Sequence, residues 1–486
     1  MYFCCNGGRV KVGSFSSYEI ARSGLYVSER GLFVTGHNIS NVNTPGYVRQ
    51  QAIMQTSPYH TISVGANLMQ VGTGADIQQT RQIRHIFLDN MYRRESTTLG
   101  YWKAKSETLQ DIEAILAEPF GDGFQSVINQ FWDSWQELSK DPQSLTIRAL
   151  VRQRSESLVS HVNHIGQQLD ALQRNINLQI VDCINEVNDI AAQIAKLNAE
   201  IVKYEATGDS ANDYRDQRNL LVDKLCSLVD ADVTEMPDGQ LAITIGGYFI
   251  VNRDKTTSLY EAKSHNDNRI SVPLLEGTDM QVPLKNGMIK GLMDSNDVIN
   301  DIRNRLNYLI KSIADEVNKL HKSGKTLDVP PEDGSDFFVP ENPSIPIEMG
   351  NLKLNSIFYG DDGLNKIVTS VNGESGDNSI ALQIANIRHA EIMHDGGNVF
   401  SIDGYYQDII LKVGNYGAEA SQIYGNQQKL VQSADANRQA IAGVSMDEEM
   451  ARMMKYKFSY DASSRVINII DDMIETIILR MGLVGR

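Results

Sequence analysis

The sequence predicts a mainly α fold with a smaller β part: a long antiparallel helical bundle or coiled coil formed by both chain ends and the middle, with small inserted β modules. Three observations lead there. Apolar and small residues recur by threes and fours at both ends, over Tyr18, Ala21, Leu25, Ser28, Leu32, Thr35, Ile39 and Val42, and again over Met453, Tyr456, Tyr460, Ser463, Ile467, Ile470, Ile474, Ile477, Met481 and Val484. No proline interrupts the chain between Pro142 and Pro237, and the same spacing runs through that window. Gly246-Gly247 separates two strand-forming runs, Leu241 to Ile245 and Tyr248 to Val251, which is a hairpin signal.

Taken in order, the first helix is expected over 16–42, opened by a Ser16-Ser17-Tyr18-Glu19 capping box. Gly24 and Gly31 lie seven apart beside its seam, and either permit close helix approach or are simply tolerated. Asn43-Thr44-Pro45-Gly46 is turn chemistry, since proline fixes φ at one central position and glycine accepts a positive φ at the next. The helix must stop there, and Tyr47 follows. Short strands are expected within 48–81. Helix resumes at Arg84 and is broken near Pro119 and again at Pro142.

A helix over 143–206, about 95 Å long at the standard rise, carries a seam of Leu158, Val162, Ile165, Leu169, Leu172, Ile176, Gln179 and Cys183. The four-residue step to Val187 reads as a stutter. Tyr214 to Val229 runs back. A β module follows over 231–285, with a second strand pair bounded by Pro273 and Pro283. Another helix spans Ile299 to Leu320. Five of the 12 prolines fall between Pro330 and Pro346, so 324–378 reads as linker-like. A further seam from Ile409 to Ala434 leads through Gly443 into the terminal helix. Ser445-Met446-Asp447-Glu448 opens that helix as a capping box, and Arg480 and Gly482 close it. The chain thus divides into a tail at 1–11, a terminal coiled-coil unit of 12–95 with 440–486, a helical bundle of 96–323 with 379–439 carrying the β module at 231–285, and a reduced insertion or linker at 324–378.

The 486 residues set a length prior of about three domains. Lys and Arg number 45 against 61 Asp and Glu, and a net charge of −16 without a basic run points away from nucleic acid and anionic membranes. No apolar run reaches membrane-spanning length, and Met1 to Val12 lacks the apolar stretch of a cleavable signal peptide. Cys4, Cys5, Cys183 and Cys226 imply no disulfide framework, and the last two read as small buried thiols. No catalytic constellation is found. His389 and His394 with Glu391 and Asp395 are the best metal-like cluster, but they are expected at a helix end, where histidine is ordinary. Asp361-Asp362-Gly363 lacks the other ligands of a calcium loop. No enzyme activity, cofactor or metal is expected.

Glu19-Ile20-Ala21-Arg22-Ser23-Gly24-Leu25, the stretch Gly36 to Gln50 with Asn43-Thr44-Pro45-Gly46-Tyr47, and the C-terminal Gly443 to Glu449 together resemble bacterial flagellar axial proteins. The long helical middle and its β module are more similar to the hook-associated protein 1 family, and the resemblance covers residue 14 to 486. It implies a non-enzymatic subunit at the hook–filament junction, exported through the flagellar type III channel, cytoplasmic before export and extracellular after it. Its implied partners are copies of itself, the hook protein, the next hook-associated protein, and an export chaperone at the C-terminal helix. The implied assembly seam is Tyr18, Leu25, Leu32, Ile39, Met453, Tyr460, Ile467, Ile470, Ile474, Ile477 and Met481. A rod or hook subunit is the alternative, and a cytoplasmic coiled-coil adaptor the remote one. The sequence departs from the family in two ways. The outer β domain usual between the last helical blocks is reduced to about 324–378. The family also begins near Val12, whose codon can start bacterial translation, so residues 1–11 are expected either to be an untranslated leader or a disordered tail.

Overall fold

The computed structural model describes residues 14–64, 67–116, 123–263, 270–278, 280–360 and 362–480. The chain opens with helix α1 (Ser14–Ser40), then strands β1 (Gln50–Thr56), β2 (His60–Val64), β3 (Asn67–Val71) and β4 (Ala75–Gln82). β1 pairs antiparallel with β4 through a bulge at Ile53/Met54, and β2 pairs with β3 as the hairpin between them. Helices α2 (Ile86–Leu116), α3 (Phe124–Lys140), α4 (Leu145–Glu205) and α5 (Asn212–Leu228) follow. Then come β5 (Ala231–Glu235), β6 (Leu241–Ile245), β7 (Tyr248–Asn252), β8 (Lys255–Thr256), β9 (Leu259–Lys263) and β10 (Ile270–Leu275). The second half holds α6 (Met288–Lys322), β11 (Phe338–Pro340), β12 (Leu352–Leu354), α7 (Ser379–Asn386), β13 (Met393–Asp395), β14 (Asn398–Phe400), α8 (Ile402–Ala442) and α9 (Met446–Glu475).

The body is a bundle of α2 to α8. α3 presents Phe124, Val127, Ile128, Phe131, Trp132, Trp135 and Leu138 to the core at helical spacing, and all seven are buried. The 61 residues of α4 form its axis, about 90 Å long. Ser144 caps α4 by accepting from the Ile147 amide at 3.4 Å. The expected α4 seam holds as far as Ile176. Gln179 is exposed and Ile180 is buried in its place, and Cys183, Ile184 and Val187 then continue inward. A 3.6-residue turn drifts against a strict heptad over this length, so the buried stripe moves one position over.

Two asparagines on α4 seat the β module. Asn198 donates to the Leu241 and Arg253 carbonyls at 2.9 and 2.7 Å and accepts from the Leu241 amide at 3.1 Å. Asn188 donates to the Leu259 carbonyl and accepts from its amide, both at 2.8 Å. The first holds the four-stranded sheet β5-β6-β7-β8, with Gly246-Gly247 turning β6 into β7 as expected. The second holds the pair β9-β10. This pair lies before the span bounded by Pro273 and Pro283: Pro273 sits inside β10, at the register irregularity between Ser271 and Leu274. A proline is tolerated there because a bulge asks for no ladder donor.

The stretch expected to be linker-like is packed. Phe337, Phe338, Leu352, Leu354, Phe358, Ile367 and Val368 all join the core cluster. Its prolines exclude helix but not burial. Asn318 on α6 accepts from the Phe337 and Phe338 amides, both at 2.8 Å. Fully buried Arg148 at the start of α4 donates to the carbonyls of Pro142, Leu364 and Ile367 and to Thr369 Oγ1. Met393 to Phe400, expected at a helix end, is instead the hairpin β13-β14, turned by Gly396-Gly397 with positive φ at both glycines. His394 therefore sits on a strand, while His389 does lie at a helix end, closing the 3-10 turn Ile387–His389 that continues α7. Among the described residues no group of three metal-ligating side chains converges.

His321 ties the same stretch to α6. Its Nδ1 donates to the Ser335 carbonyl at 2.6 Å and its Nε2 accepts from the Val368 amide at 3.0 Å. Burial holds its pKa down to about 4, so it is neutral when folded. The unfolded chain binds this proton below about pH 6.5 and the folded chain does not. The stabilisation is therefore present above that value and is lost as pH falls towards 4. Urea unfolding at pH 7 and pH 5 checks this. The stability gap between the native chain and His321→Leu, about 1–3 kcal/mol at pH 7 from the two groups left unpaired, should narrow at pH 5.

Candidate functional site

The two chain ends meet. α1 packs antiparallel on α9, and the register is read from four facing pairs. Ser28 Oγ donates to Ser459 Oγ at 3.1 Å, and Asn38 Nδ2 donates to Glu449 Oε2 at 2.9 Å. A Cβ on Gly24 would lie 2.8 Å from Ser463 Oγ, and one on Gly31 would lie 2.8 Å from the Tyr456 ring. Both glycines therefore serve close approach. At these four pairs the facing residues are small or polar apart from Tyr456, with Thr35 Oγ1 returned to the Gly31 carbonyl at 2.8 Å.

The lower end of this pair is closed by a hydrogen-bonded knot around Asn38. Its amide also donates to the Gln50 carbonyl at 2.9 Å, while its Oδ1 accepts from the Gln50 amide at 3.0 Å and from Tyr47 Oη at 2.7 Å. Because Asn38 pairs with both backbone groups of Gln50, its orientation is fixed. Thr44 to Tyr47 forms the expected turn, with the Tyr47 amide on the Thr44 carbonyl at 3.2 Å and Gly46 at φ 79°. Gly46 rests on Leu220 of α5. Asn43, Thr44, Pro45 and Gly46 are exposed, and Tyr47 is half-buried.

The knot is bolted to the body through the first turn of α5. Asp216 accepts from the Val48 amide at 3.0 Å and from Gln82 at 2.7 Å, Asp213 accepts from Gln50 at 2.8 Å, and Asn212 donates to the Thr80 carbonyl at 3.0 Å. Burial pushes the Asp216 carboxyl up to about 7 despite these donors. On the other side Arg49 pairs with Glu448 at 2.7 Å, and Arg438 pairs with Asp223 and stacks on Tyr92.

The predicted seam residues are placed unevenly. Ile470 is buried, Leu25, Leu32, Ile39, Met453, Ile467 and Ile474 are half-buried, and Tyr18 and Tyr460 are exposed. The Ile477 side chain and Met481 lie outside the described residues. Sequence reasoning missed Asn38, Gln50 and Glu449, as well as Val27 and Val34, which α1 buries because it also lies on the β1-β4 pair. Neither capping box forms as expected. α1 is already helical at Ser14, so Glu19 lies inside it and pairs with Arg22. Ser445 is the N-cap of α9 without a side-chain cap bond, and Glu448 and Glu449 turn to Arg49 and Asn38. Facing away from the contact, α1 exposes Ile20, Tyr26 and Phe33, and α9 exposes Met450, Met454, Phe458, Ile469 and Met473.

Comparison with known proteins agrees with this geometry. A family model described as the flagellar hook-associated protein FlgK helical domain matches residues 109–338, and the flagellar basal body rod FlgEFG protein C-terminal model matches 440–481. Flagellar hook-associated protein 1 of Bacillus subtilis (strain 168) is 29% identical over 508 aligned positions, spanning 97% of this chain and 99% of the relative. Together these matches support the flagellar hook-associated protein 1 family for this chain. The Escherichia coli (strain K12) member is 28% identical, over 67% of this chain and 60% of its own length. The hook junction protein FlgK from Burkholderia pseudomallei shares the fold, with a TM-score of 0.64 at 13% identity over 73% of this chain and 100% of that one.

Two outcomes test the site. Gly31→Ala should loosen the terminal pair by about 1–3 kcal/mol through overpacking on Tyr456. Gly36→Ala, with nothing within 4 Å, should tighten α1 by about 0.5–1 kcal/mol; hydrogen exchange of the α1 amides reads both. For Asp216 the folded carboxyl takes its proton first, so its contribution is full below about pH 4 and is lost as pH rises to about 7. Relative to Asp216→Asn, the native chain should therefore lose stability from pH 4 to 7 and stay level above.

Proposed function

We propose that this chain is a non-enzymatic structural subunit of the bacterial flagellum at the hook–filament junction. One observation carries the reading. Both chain ends form a single antiparallel helix pair that holds itself by small and polar contacts while turning apolar side chains outward. Outward-facing apolar rows of this size mark a surface that is covered in use. The family likeness supplies the setting: hook protein, the next hook-associated protein and neighbouring copies of the chain cover these rows after type III export. The rod-type match at 440–481 favours a rod or hook subunit as the second reading. The hook-associated match over the helical body favours the first.

An export chaperone at the C-terminal helix has two rows to read. Ile470 is covered in the folded chain, where α1 is the main element packed on α9, so a chaperone on that row binds before the ends pair. The row from Met454 to Met473 is open in either state.

Immunogold electron microscopy tests the location. Label at the hook–filament boundary is expected, label along rod or hook supports the second reading, and label confined to the cytoplasm overturns both. The outward row is tested by Met454→Asp with Phe458→Asp. Unfolding of the isolated chain should change by no more than about 0.5 kcal/mol, while incorporation into flagella is lost. Undiminished incorporation would remove the assembly role from this row.

A further inference from the structure

The four facing pairs of α1 and α9 keep strict step. Each advance of four, three and seven residues along α1, from Gly24 to Ser28 to Gly31 to Asn38, is matched by an equal retreat along α9, from Ser463 to Ser459 to Tyr456 to Glu449. Little apolar burial fixes this register. Among the described side chains, the buried hydrophobics of α1 are Ala21, Val27 and Val34, and that of α9 is Ile470. The largest side chain in the seam, Tyr456, needs a glycine opposite it, and it has one in Gly31. A second glycine, Gly24, lies one heptad further along the same face. If α9 moved by seven residues towards the start of α1, about 10 Å, Tyr456 would find that second notch. Ser459 would then face Ala21, and Ser463 would face Ser17. A move the other way would drive Tyr456 into Asn38.

One neighbouring register is thus sterically open, and something must exclude it. The shift would strip Asn38 of its carboxylate partner and set Glu449 opposite Gly31, which offers no donor, leaving it only the 3.6 Å pair with Arg452 of its own helix. It would also break the Arg49–Glu448 pair. Glu449 is 1% exposed and Asn38 likewise 1%, so the loss would fall on buried polar groups, where an unmade hydrogen bond is most costly. A single buried polar pair that fixes helix register at a cost in stability is a known device of coiled coils.

We infer that Asn38 and Glu449 are the register-setting residues of the terminal helix pair, and that Gly24 is the notch of an alternative pairing they exclude. The inference rests on the pairing of the ends and not on the flagellar reading. Register decides where the outward row of α9 stands relative to that of α1, and so which composite surface the pair presents.

Cysteine pairs read the register directly, because a disulfide forms only between Cα atoms within about 7 Å. In the full chain with Cys4→Ser, Cys5→Ser, Cys183→Ala and Cys226→Ala, Ser28→Cys with Ser459→Cys reports the observed register. Ala21→Cys with Ser459→Cys reports the shifted one. With Asn38 and Glu449 intact, only the first pair should cross-link. With Asn38→Leu and Glu449→Leu added, the share of the second should rise by about tenfold or more. Glu449→Gln, which keeps an acceptor for Asn38, should restore the first pattern. Val34→Ala, which weakens the same helix without touching the lock, should lower total cross-linking and leave the ratio alone. If the doubly substituted chain forms neither product, Glu449→Leu alone is read in the same way. Cross-linking of the first pair only, in both Leu variants, would overturn the inference and assign the register to the short connection through Gly443 and Val444.

Discussion

The contact between Asn38 and Glu449 spans 411 positions of sequence, and the terminal unit depends on its being made. Closing a loop of that length from a disordered chain carries a large entropic cost, though one that grows only with the logarithm of length. The body meets that cost first. α2 and α8 lie side by side, with Gln427 donating to the Glu95 carbonyl at 3.0 Å, and Arg438 of α8 reaches Asp223 of α5. Once they are paired, the segments entering α2 and leaving α8 are neighbours. The Arg49 amide donates to the Ala442 carbonyl at 2.9 Å, and the Ile83 amide donates to the Arg49 carbonyl at 2.8 Å. The knot therefore closes across a few residues at each end, and its own hydrogen bonds are left to choose geometry.

That division of labour shows in the chemistry of the two units. The body is held by continuous apolar burial from α2 to α8, with buried Asn, Arg and His side chains used where a sheet or an irregular stretch must be seated on a helix. The terminal unit has little apolar interior, and its joint to the body at Asp213, Asp216, Gln50 and Gln82 is built from hydrogen bonds between polar groups. Polar joints between units are compatible with relative movement, and helices with few buried apolar contacts sit at the low end of a protein's range of local stability.

Much of the helical architecture was legible because long helices repeat their signal. α4, α6, α8 and α9 follow the three-four spacing, and the hairpin at Gly246-Gly247 follows its turn residues. The same glycine pair at 396–397 makes a second hairpin, which went unread because the short runs beside it are not strand-like. Val27 and Val34 were missed because one helix face served two neighbours, α9 and the β1-β4 pair, whereas periodicity reports a single stripe. The knot was hidden for a different reason. Asn38, Gln50 and Glu449 are ordinary surface residue types, and only their meeting in space makes them buried. The glycine pair Gly24 and Gly31 was visible as spacing, but sequence could not decide between packing and tolerance until Ser463 and Tyr456 stood opposite.

The capping residues of α9 show how these levels compete. Ser445 and Glu448 have the spacing of a reciprocal cap, which would satisfy two backbone donors of α9 locally. Instead Glu448 is taken by Arg49 and Glu449 by Asn38, both on the other end of the chain. A carboxylate bond to a backbone amide is charge-assisted as well, but the Arg49 guanidinium adds a full opposite charge at 2.7 Å to the hydrogen bond that Glu448 makes. The consequence is directional. α9 exchanges part of its independent start for a start that exists only when α1 and the turn at Thr44 to Tyr47 are in place, so its helical end is conditional on the chain having already folded back on itself. A row of apolar side chains on such a helix is held in a fixed orientation relative to the body through these contacts with α1 and the turn.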